Sequence, residues 1–122
     1  METRKNWEKL GQDDPLFAVL TYKDKRGGKW NKQDFFDTGK REVQESINYL
    51  NSLGISISPH SALDFGCGVG RLSQALSEYF DEVHGVDIAD SMIKLAEEFN
   101  HYKTKCKYYV NKNDNLDRKS VV

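Results

Sequence analysis

The sequence predicts an α/β fold built around a parallel sheet. From residue 61 onward, strand-forming segments alternate with segments of helical periodicity in the order β-α-β-α-β. Successive parallel strands need crossover connections of this kind, and such crossovers are right-handed. A glycine-rich loop at residues 66–70 joins the first strand to the next helix, and open α/β sheets bind ligands at this type of connection.

Two segments before the sheet have helical signals. Asp14 suits an N-cap and Pro15 suits the first helical position, which predicts a short helix over 15–22. Apolar residues then recur at three- and four-residue spacing over 38–53, and Gly54 ends this second helix as a C′ glycine. We expect the second helix to pack on one face of the sheet.

The α/β segments follow in order. Strands are predicted at 61–65, which is short and apolar, at 82–87, which is short and ends on an acid, and at 106–110, which is rich in β-forming residues. Asp90 or Ser91 is expected to cap the helix after the second strand. The inward faces of the two crossover helices are predicted to consist of Leu72, Ala75, Leu76 and Tyr79 in the first and Met92 or Ile93, Ala96 and Phe99 or Asn100 in the second.

Composition excludes several classes of function. With 18 basic and 19 acidic residues and a net charge of −1, the chain has no electrostatic footprint for nucleic acid or an anionic membrane. It has no apolar run long enough to span a bilayer and no apolar segment behind its N-terminus. Two cysteines without a CxxC predict free thiols and a cytoplasmic protein, and the three histidines lack metal-ligand spacing, so no metal site is expected.

The glycine loop is the candidate ligand site. A strand that leads into a helix leaves unpaired N–H groups at the carboxyl end of the strand, where the helix dipole is positive. Gly66, Gly68 and Gly70 remove three Cβ atoms, so the backbone can turn sharply and lie against a ligand.

The spacing of these glycines separates two classes of cofactor. A dinucleotide fingerprint reads G-x-G-x-x-G and places a pyrophosphate on the helix, whereas this loop reads G-x-G-x-G with Asp64 two residues before it. A carboxylate there would repel a pyrophosphate but suits an ammonium or sulfonium charge. Asp87, at the end of the second strand, can accept both hydroxyls of a ribose. Together these features favour S-adenosylmethionine.

At these residues the sequence resembles a known family. Residues 63–71 (LDFGCGVGR) and 85–92 (GVDIADSM) are similar to the first two motifs of class I S-adenosylmethionine-dependent methyltransferases. The resemblance implies a Rossmann-like, doubly wound parallel sheet of seven strands, of which this chain holds strands one to three after its N-terminal helices. It therefore implies a truncated cofactor-binding α/β domain at 38–122, preceded by a helical lid segment at 1–37.

The resemblance also implies the roles of individual residues. The methionine moiety of the cofactor would face Asp64 and the loop residues, the ribose would face Asp87, and the adenine would face Ile88 and Met92. A side chain after the third strand would also approach the adenine, and Asn111, Asn113 and Asp114 remain candidates. The cofactor-binding residues from the loop are Gly66, Cys67, Gly68, Gly70 and Arg71.

The sequence therefore predicts the cofactor-binding half of a methyltransferase that acts on a small molecule. The acceptor and the catalytic residues are not identified by any motif. A non-catalytic, cofactor-binding module that self-associates through its open sheet edge is an alternative, and it implies a homo-oligomer. An NAD-dependent oxidoreductase is a further alternative, which Asp64 and the glycine spacing disfavour.

Overall fold

The fold is a three-stranded parallel sheet with helical connections. The computed structural model describes residues 30–111 together with Glu8, Lys9, Gln12, Leu16 and Gly28. Within the described residues, the sheet order is β1-β2-β3, and both strand pairs are parallel. The elements are α1 (Lys32–Ser52), β1 (Ser61–Phe65), α2 (Arg71–Leu76), β2 (Glu82–Asp87), α3 (Asp90–Phe99) and β3 (Cys106–Val110), with a 3-10 turn at Lys103–Lys105. The predicted α/β class and all three strands are confirmed.

The register divides the sheet into two faces. Ala62 lies beside Val83, which lies beside Cys106, and these side chains form one apolar cluster with Leu76 of α2. Successive strand residues point to opposite faces, so the next residue in each strand lies on the other face. On that other face Phe65, at the outer edge of the sheet, remains 62% exposed.

Helix α1 begins earlier than predicted, at Lys32 rather than near residue 38. The reason is local, because Asn31 has an extended backbone and its side-chain oxygen accepts a hydrogen bond from the Asp34 amide at 3.2 Å. The predicted end is confirmed, since Leu53 is the C-cap and Gly54 follows with φ of +74°. The helix packs chiefly against α2 instead of lying directly on the sheet, which corrects our expectation.

Helix α2 is short, and its buried face differs from the predicted one. Ser73, Gln74 and Ala75 are buried, whereas Leu72 and Leu76 are only partly buried. Of the predicted inner face, Ala75 is fully buried, and Leu76 and Tyr79 pack against the apolar cluster of the sheet while they remain partly exposed. The hydroxyl of Ser77 donates to the carbonyl of Ser73 at 2.9 Å, which satisfies a polar group buried in this layer.

Helix α3 has the predicted inner face but a different cap. Met92, Ile93 and Ala96 are buried as expected. Its N-cap is Ala89, which has no side chain that could cap, so the prediction of Asp90 or Ser91 was wrong. The missing acceptor comes from another part of the chain and is described with the site below.

Two aromatic-rich clusters anchor the layers. The larger one joins α1, the glycine loop and α3 through Trp30, Phe35, Val69, Ala89 and Met92. The predicted helix at 15–22 lies outside the described residues except for Leu16, which is helical and packs against this cluster. Of the candidates after the third strand, Asn111 lies within the described residues, and Asn113 and Asp114 lie outside them. No helix in the described part of the chain is long and apolar enough to cross a membrane.

Candidate functional site

The glycine loop sits at the carboxyl end of β1 and is tied to β2. The amides of Gly66 and Cys67 both donate to the carbonyl of Val86, at 2.7 and 3.0 Å. The backbone at Gly66 and Gly70 is left-handed, with φ of +73° and +90°. Glycine adopts this conformation without the penalty that a Cβ would impose, so the loop closes in a turn that the alternating glycines permit.

Asp87 fastens the loop to the tip of β2. One carboxylate oxygen accepts from the Gly68 amide at 2.8 Å, and the other accepts from the Ala89 amide at 2.9 Å. Each oxygen of a carboxylate has two acceptor sites, so both can accept a further donor. Asp87 therefore holds the loop in place, and within the described residues each of its oxygens accepts one hydrogen bond and has capacity for a second, such as one from a hydroxyl group.

Asp64 lies beneath the same loop, on the helix-facing side of β1. Its Oδ2 accepts a 2.6 Å hydrogen bond from the hydroxyl of Ser73. Desolvation by burial raises the pKa of Asp64, while this hydrogen bond and the Arg71 charge lower it, and the charge of Asp87 raises it further. The two acids thus place negative potential at the loop, which favours a cationic ligand. Sequence reasoning missed Ser73, whose position nine residues after Asp64 gave no signal.

Free space around the loop is confined to one side. A Cβ on Gly66 would meet no atom of the described residues within 4 Å, whereas one on Gly70 would collide with the Tyr108 hydroxyl. Tyr108 also fills the space beside Gly85 of β2, where a Cβ would lie 2.7 Å from its ring. The surface over Gly66 is therefore open to a ligand, and Tyr108 supports the loop from below. Sequence reasoning did not identify Tyr108.

The remaining predicted site residues differ in their surroundings. Cys67 is buried, its Sγ donates to the Gly68 carbonyl at 3.6 Å, and burial raises the pKa of its thiol. Ile88 is partly exposed beside Asp87. Met92 is 1% exposed and packs in the aromatic cluster. The guanidinium of Arg71 turns toward α1, where it pairs with Glu42 at 2.8 Å. Their contacts with a cofactor stay predictions.

The N-terminus of α3, next to Asp87, receives a carboxylate from far away in the chain. Glu8 accepts hydrogen bonds from the amides of Asp90 and Ser91, and its carbonyl accepts from the Ser91 hydroxyl at 3.1 Å. A carboxylate at this point satisfies orphan N–H groups and interacts favourably with the helix dipole. The predicted N-terminal segment thus reaches the edge of the candidate site, through a contact that no local pattern could have revealed.

The described residues contain no group of three or more His, Cys, Asp or Glu side chains that could hold a metal ion.

Comparison with known proteins gives the same segment a family match. Residues 62–120 match the methyltransferase domain family. A ubiquinone biosynthesis O-methyltransferase of Bordetella avium is 34% identical over 50 residues, which are 41% of this chain and 21% of that protein. The chain thus spans about a fifth of the length of the curated relatives it matches.

Solved structures share the fold. A phosphoethanolamine N-methyltransferase of Haemonchus contortus, in complex with phosphoethanolamine and S-adenosylhomocysteine, aligns with a TM-score of 0.63 at 18% identity over 90% of this chain and 21% of that one. A magnesium protoporphyrin IX methyltransferase of Synechocystis with bound SAH aligns with a TM-score of 0.55 at 23% identity over 90% of this chain and 50% of that one. At these identities the likeness shows the fold.

Proposed function

Since residues 62–120 match the methyltransferase domain family, we propose that this chain forms the cofactor-binding part of an S-adenosylmethionine-dependent methyltransferase. The observation that carries the proposal is the carboxylate of Asp87, which accepts from the Gly68 and Ala89 amides and has capacity on each oxygen for one more donor. The same carboxylate therefore fixes the conformation of the glycine loop and is suited to accept hydrogen bonds from a ribose. The solved structures with S-adenosylhomocysteine or SAM that share the fold support the same cofactor.

Each of these residues contacts a different part of the bound cofactor. The open backbone at Gly66 takes the amino-acid end of the cofactor, and Asp64 below it supplies negative potential for the ammonium and sulfonium charges. Asp87 accepts the ribose hydroxyls, and the partly exposed Ile88 lies against the adenine. When bound, S-adenosylmethionine supplies a methyl group made electrophilic by its sulfonium. The protein contributes mainly by holding the methyl group in line with an acceptor.

We also propose that the acceptor is a small molecule. The three named relatives act, by their names, in ubiquinone biosynthesis, on phosphoethanolamine and on magnesium protoporphyrin IX. A net charge of −1 does not favour a nucleic acid as the acceptor.

Calorimetric titration of the full-length protein with S-adenosylhomocysteine tests the cofactor assignment. Asp87→Asn keeps the volume of the side chain but removes its charge and one acceptor, so we expect binding to weaken by about tenfold or more. Asp81→Asn is the matched control, because Asp81 is an exposed acid at the opposite end of β2 and should leave binding unchanged.

Two results would contradict the proposal. The first is no binding of S-adenosylhomocysteine by a wild-type protein that is folded by circular dichroism. The second is equal affinity in Asp87→Asn and Asp81→Asn. Saturable binding of NADH instead would revive the oxidoreductase alternative.

The open edge of β1 favours a second candidate, in which two copies of the chain associate as a binding module. Within the described residues β1 pairs only with β2, and Leu63 and Phe65 of β1 are 43% and 62% exposed. An unpaired edge with apolar side chains promotes association. Sedimentation velocity of the wild type and of Phe65→Lys tests this, since a wild type that remains monomeric at high concentration rules it out.

A further inference from the structure

A pocket lies in the helical layer, away from the glycine loop. It has a volume of about 250 Å³ and opens between α1, α2 and the connection from α3 to β3. Gly66, Gly68 and Asp87 do not line it. Arg71, which follows the loop directly, is the one predicted cofactor residue in its wall. The pocket is therefore a separate cavity that shares a single wall residue with the predicted cofactor site.

The wall of this pocket is strongly cationic. Lys32, Lys40 and Arg71 line it together with His101, and none of its described lining residues is a carboxylate. This local excess contrasts with the net charge of −1 for the whole chain. Three cations from two helices that line one small cavity repel one another, and an anion bound in the cavity reduces that repulsion.

The acids near the pocket neutralise it only in part. Glu42 pairs with Arg71 at 2.8 Å, whereas Glu78 lies 3.8 Å from Lys40 with both side chains well exposed. The Lys40 pair is therefore weak. The ammonium of Lys32 lies 4.9 Å from the centroid of a phenylalanine ring at the end of α3, and no carboxylate pairs with it among the described residues.

Arg71 has a buried hydrogen-bond donor for which the described part of the chain provides no acceptor. One terminal nitrogen of its guanidinium bonds Glu42 and the Thr38 hydroxyl, at 2.8 and 3.3 Å. Its Nε is buried and has no hydrogen-bond partner there. A buried donor without a partner costs free energy, so a small shift of this side chain toward an anion in the pocket would be favourable.

Part of the pocket wall, called the floor below, is apolar and can contact an organic group. Phe36 and Ala75 supply apolar surface, and the amide of Gln74 is held by the Phe99 carbonyl and the His101 amide, at 2.8 and 3.2 Å. The walls are therefore built from fixed elements. The volume exceeds what a bare oxyanion requires, which leaves room for a few carbon atoms next to the charged group.

We propose that this pocket binds a small phosphate monoester. The oxygens of a tetrahedral dianion can accept hydrogen bonds from the two α1 lysines that line the pocket, Lys32 and Lys40, and from Arg71 of α2. The apolar floor takes the organic part of the ester. The site goes beyond the proposed methyl transfer and does not depend on it.

Amide NMR of the full-length protein, titrated with inorganic phosphate against sodium chloride at matched ionic strength, tests the proposal. We expect saturable shifts at Ala75 and His101, with little change at Gly66, and a Kd on the order of 1 mM. Phenyl phosphate should bind more tightly than inorganic phosphate because it also contacts the apolar floor.

The double variant Lys32→Gln/Lys40→Gln should weaken phosphate binding by about tenfold or more. Its matched control is Lys94→Gln/Lys107→Gln, which removes the same charge from exposed lysines that do not line the pocket. Shifts that do not saturate, or equal Kd values for the two double variants, would overturn the proposal. S-adenosylhomocysteine affinity measured on the same samples should be unchanged by both double variants, so this result is separable from the test of the cofactor site.

Discussion

Replacing Gly70 by alanine should destabilise the protein more than the same change at Gly66, although both glycines have positive φ. Backbone strain costs about 1–2 kcal/mol for a non-glycine residue in the left-handed region, and it applies to both variants. Only at Gly70 does the new Cβ collide with the Tyr108 hydroxyl, and its ring carbon Cζ is 3.0 Å away. Overpacking of this kind adds about 1–3 kcal/mol. We expect Gly66→Ala to cost about 1–2 kcal/mol and Gly70→Ala about 2–5 kcal/mol.

Urea unfolding followed by circular dichroism measures the difference. With a slope of about 1–3 kcal/mol per molar urea, Gly70→Ala should lower the midpoint by roughly 1 M more than Gly66→Ala. The double variant Gly70→Ala/Tyr108→Phe should recover part of the loss because it removes the closest atom. Tyr108→Phe alone should change the free energy of unfolding by less than about 1 kcal/mol, since the hydroxyl is buried without a hydrogen-bond partner in the described structure.

The reasoning is refuted if the two alanine variants unfold at the same urea concentration, or if Tyr108→Phe gives the same increment in the Gly66→Ala and Gly70→Ala backgrounds. Non-additivity confined to the Gly70 background is the signature of a direct contact. Gly66→Ala should instead weaken S-adenosylhomocysteine binding, because its Cβ enters the open space over the loop.

Three further predictions concern charge and burial. Glu8→Gln should lower the free energy of unfolding by about 0.5–2 kcal/mol because the N-terminus of α3 loses a carboxylate cap, while Glu45→Gln on the exposed side of α1 should not; thermal unfolding compares them. The pKa of Asp64 is raised above 3.8, so the stability that its protonated form contributes is complete below that pH and is lost as pH rises through the raised pKa. In urea titrations between about pH 3 and 7, the free energy of unfolding of Asp64→Asn should therefore decline less with pH than that of the wild type. Equal pH profiles for the two proteins would contradict this prediction. Burial raises the pKa of both Cys67 and Cys106, so each thiol should react with a disulfide reagent far more slowly in the native protein than in urea. Absorbance kinetics measures both rates, and similar rates would contradict this prediction.

The sheet could be predicted from sequence because its signals are local. Each strand is a short run of β-forming residues between turns, and the two acids and the glycines lie within those runs or directly beside them. The early start of α1 was also readable in principle, since Asn31 precedes Asp34 at capping distance. The contact of Glu8 with α3 could not be predicted, because its partners lie more than 80 residues away and no periodicity connects them.

The support beneath the loop could not be predicted either. In the sequence, nothing distinguishes Tyr108 from other strand residues. Its position beside Gly85 follows from the parallel register of β2 and β3. Ser73 reads as an ordinary helical residue until α2 packs across β1 and brings its hydroxyl to Asp64. Sequence patterns therefore located the binding loop, whereas the side chains that shape it depend on how the layers are stacked.

The sequential order of the strands has a consequence for the folding kinetics. Ser61 pairs with Glu82, and Val83 pairs with Cys106, so residues that meet in the sheet are separated by only about twenty positions along the chain. Rates of folding fall as the mean sequence separation of contacts rises, because long loops must close before their contacts form. The part of the chain from β1 to β3 should therefore assemble rapidly for a parallel sheet, with the glycine loop fixed as soon as β2 docks on β1.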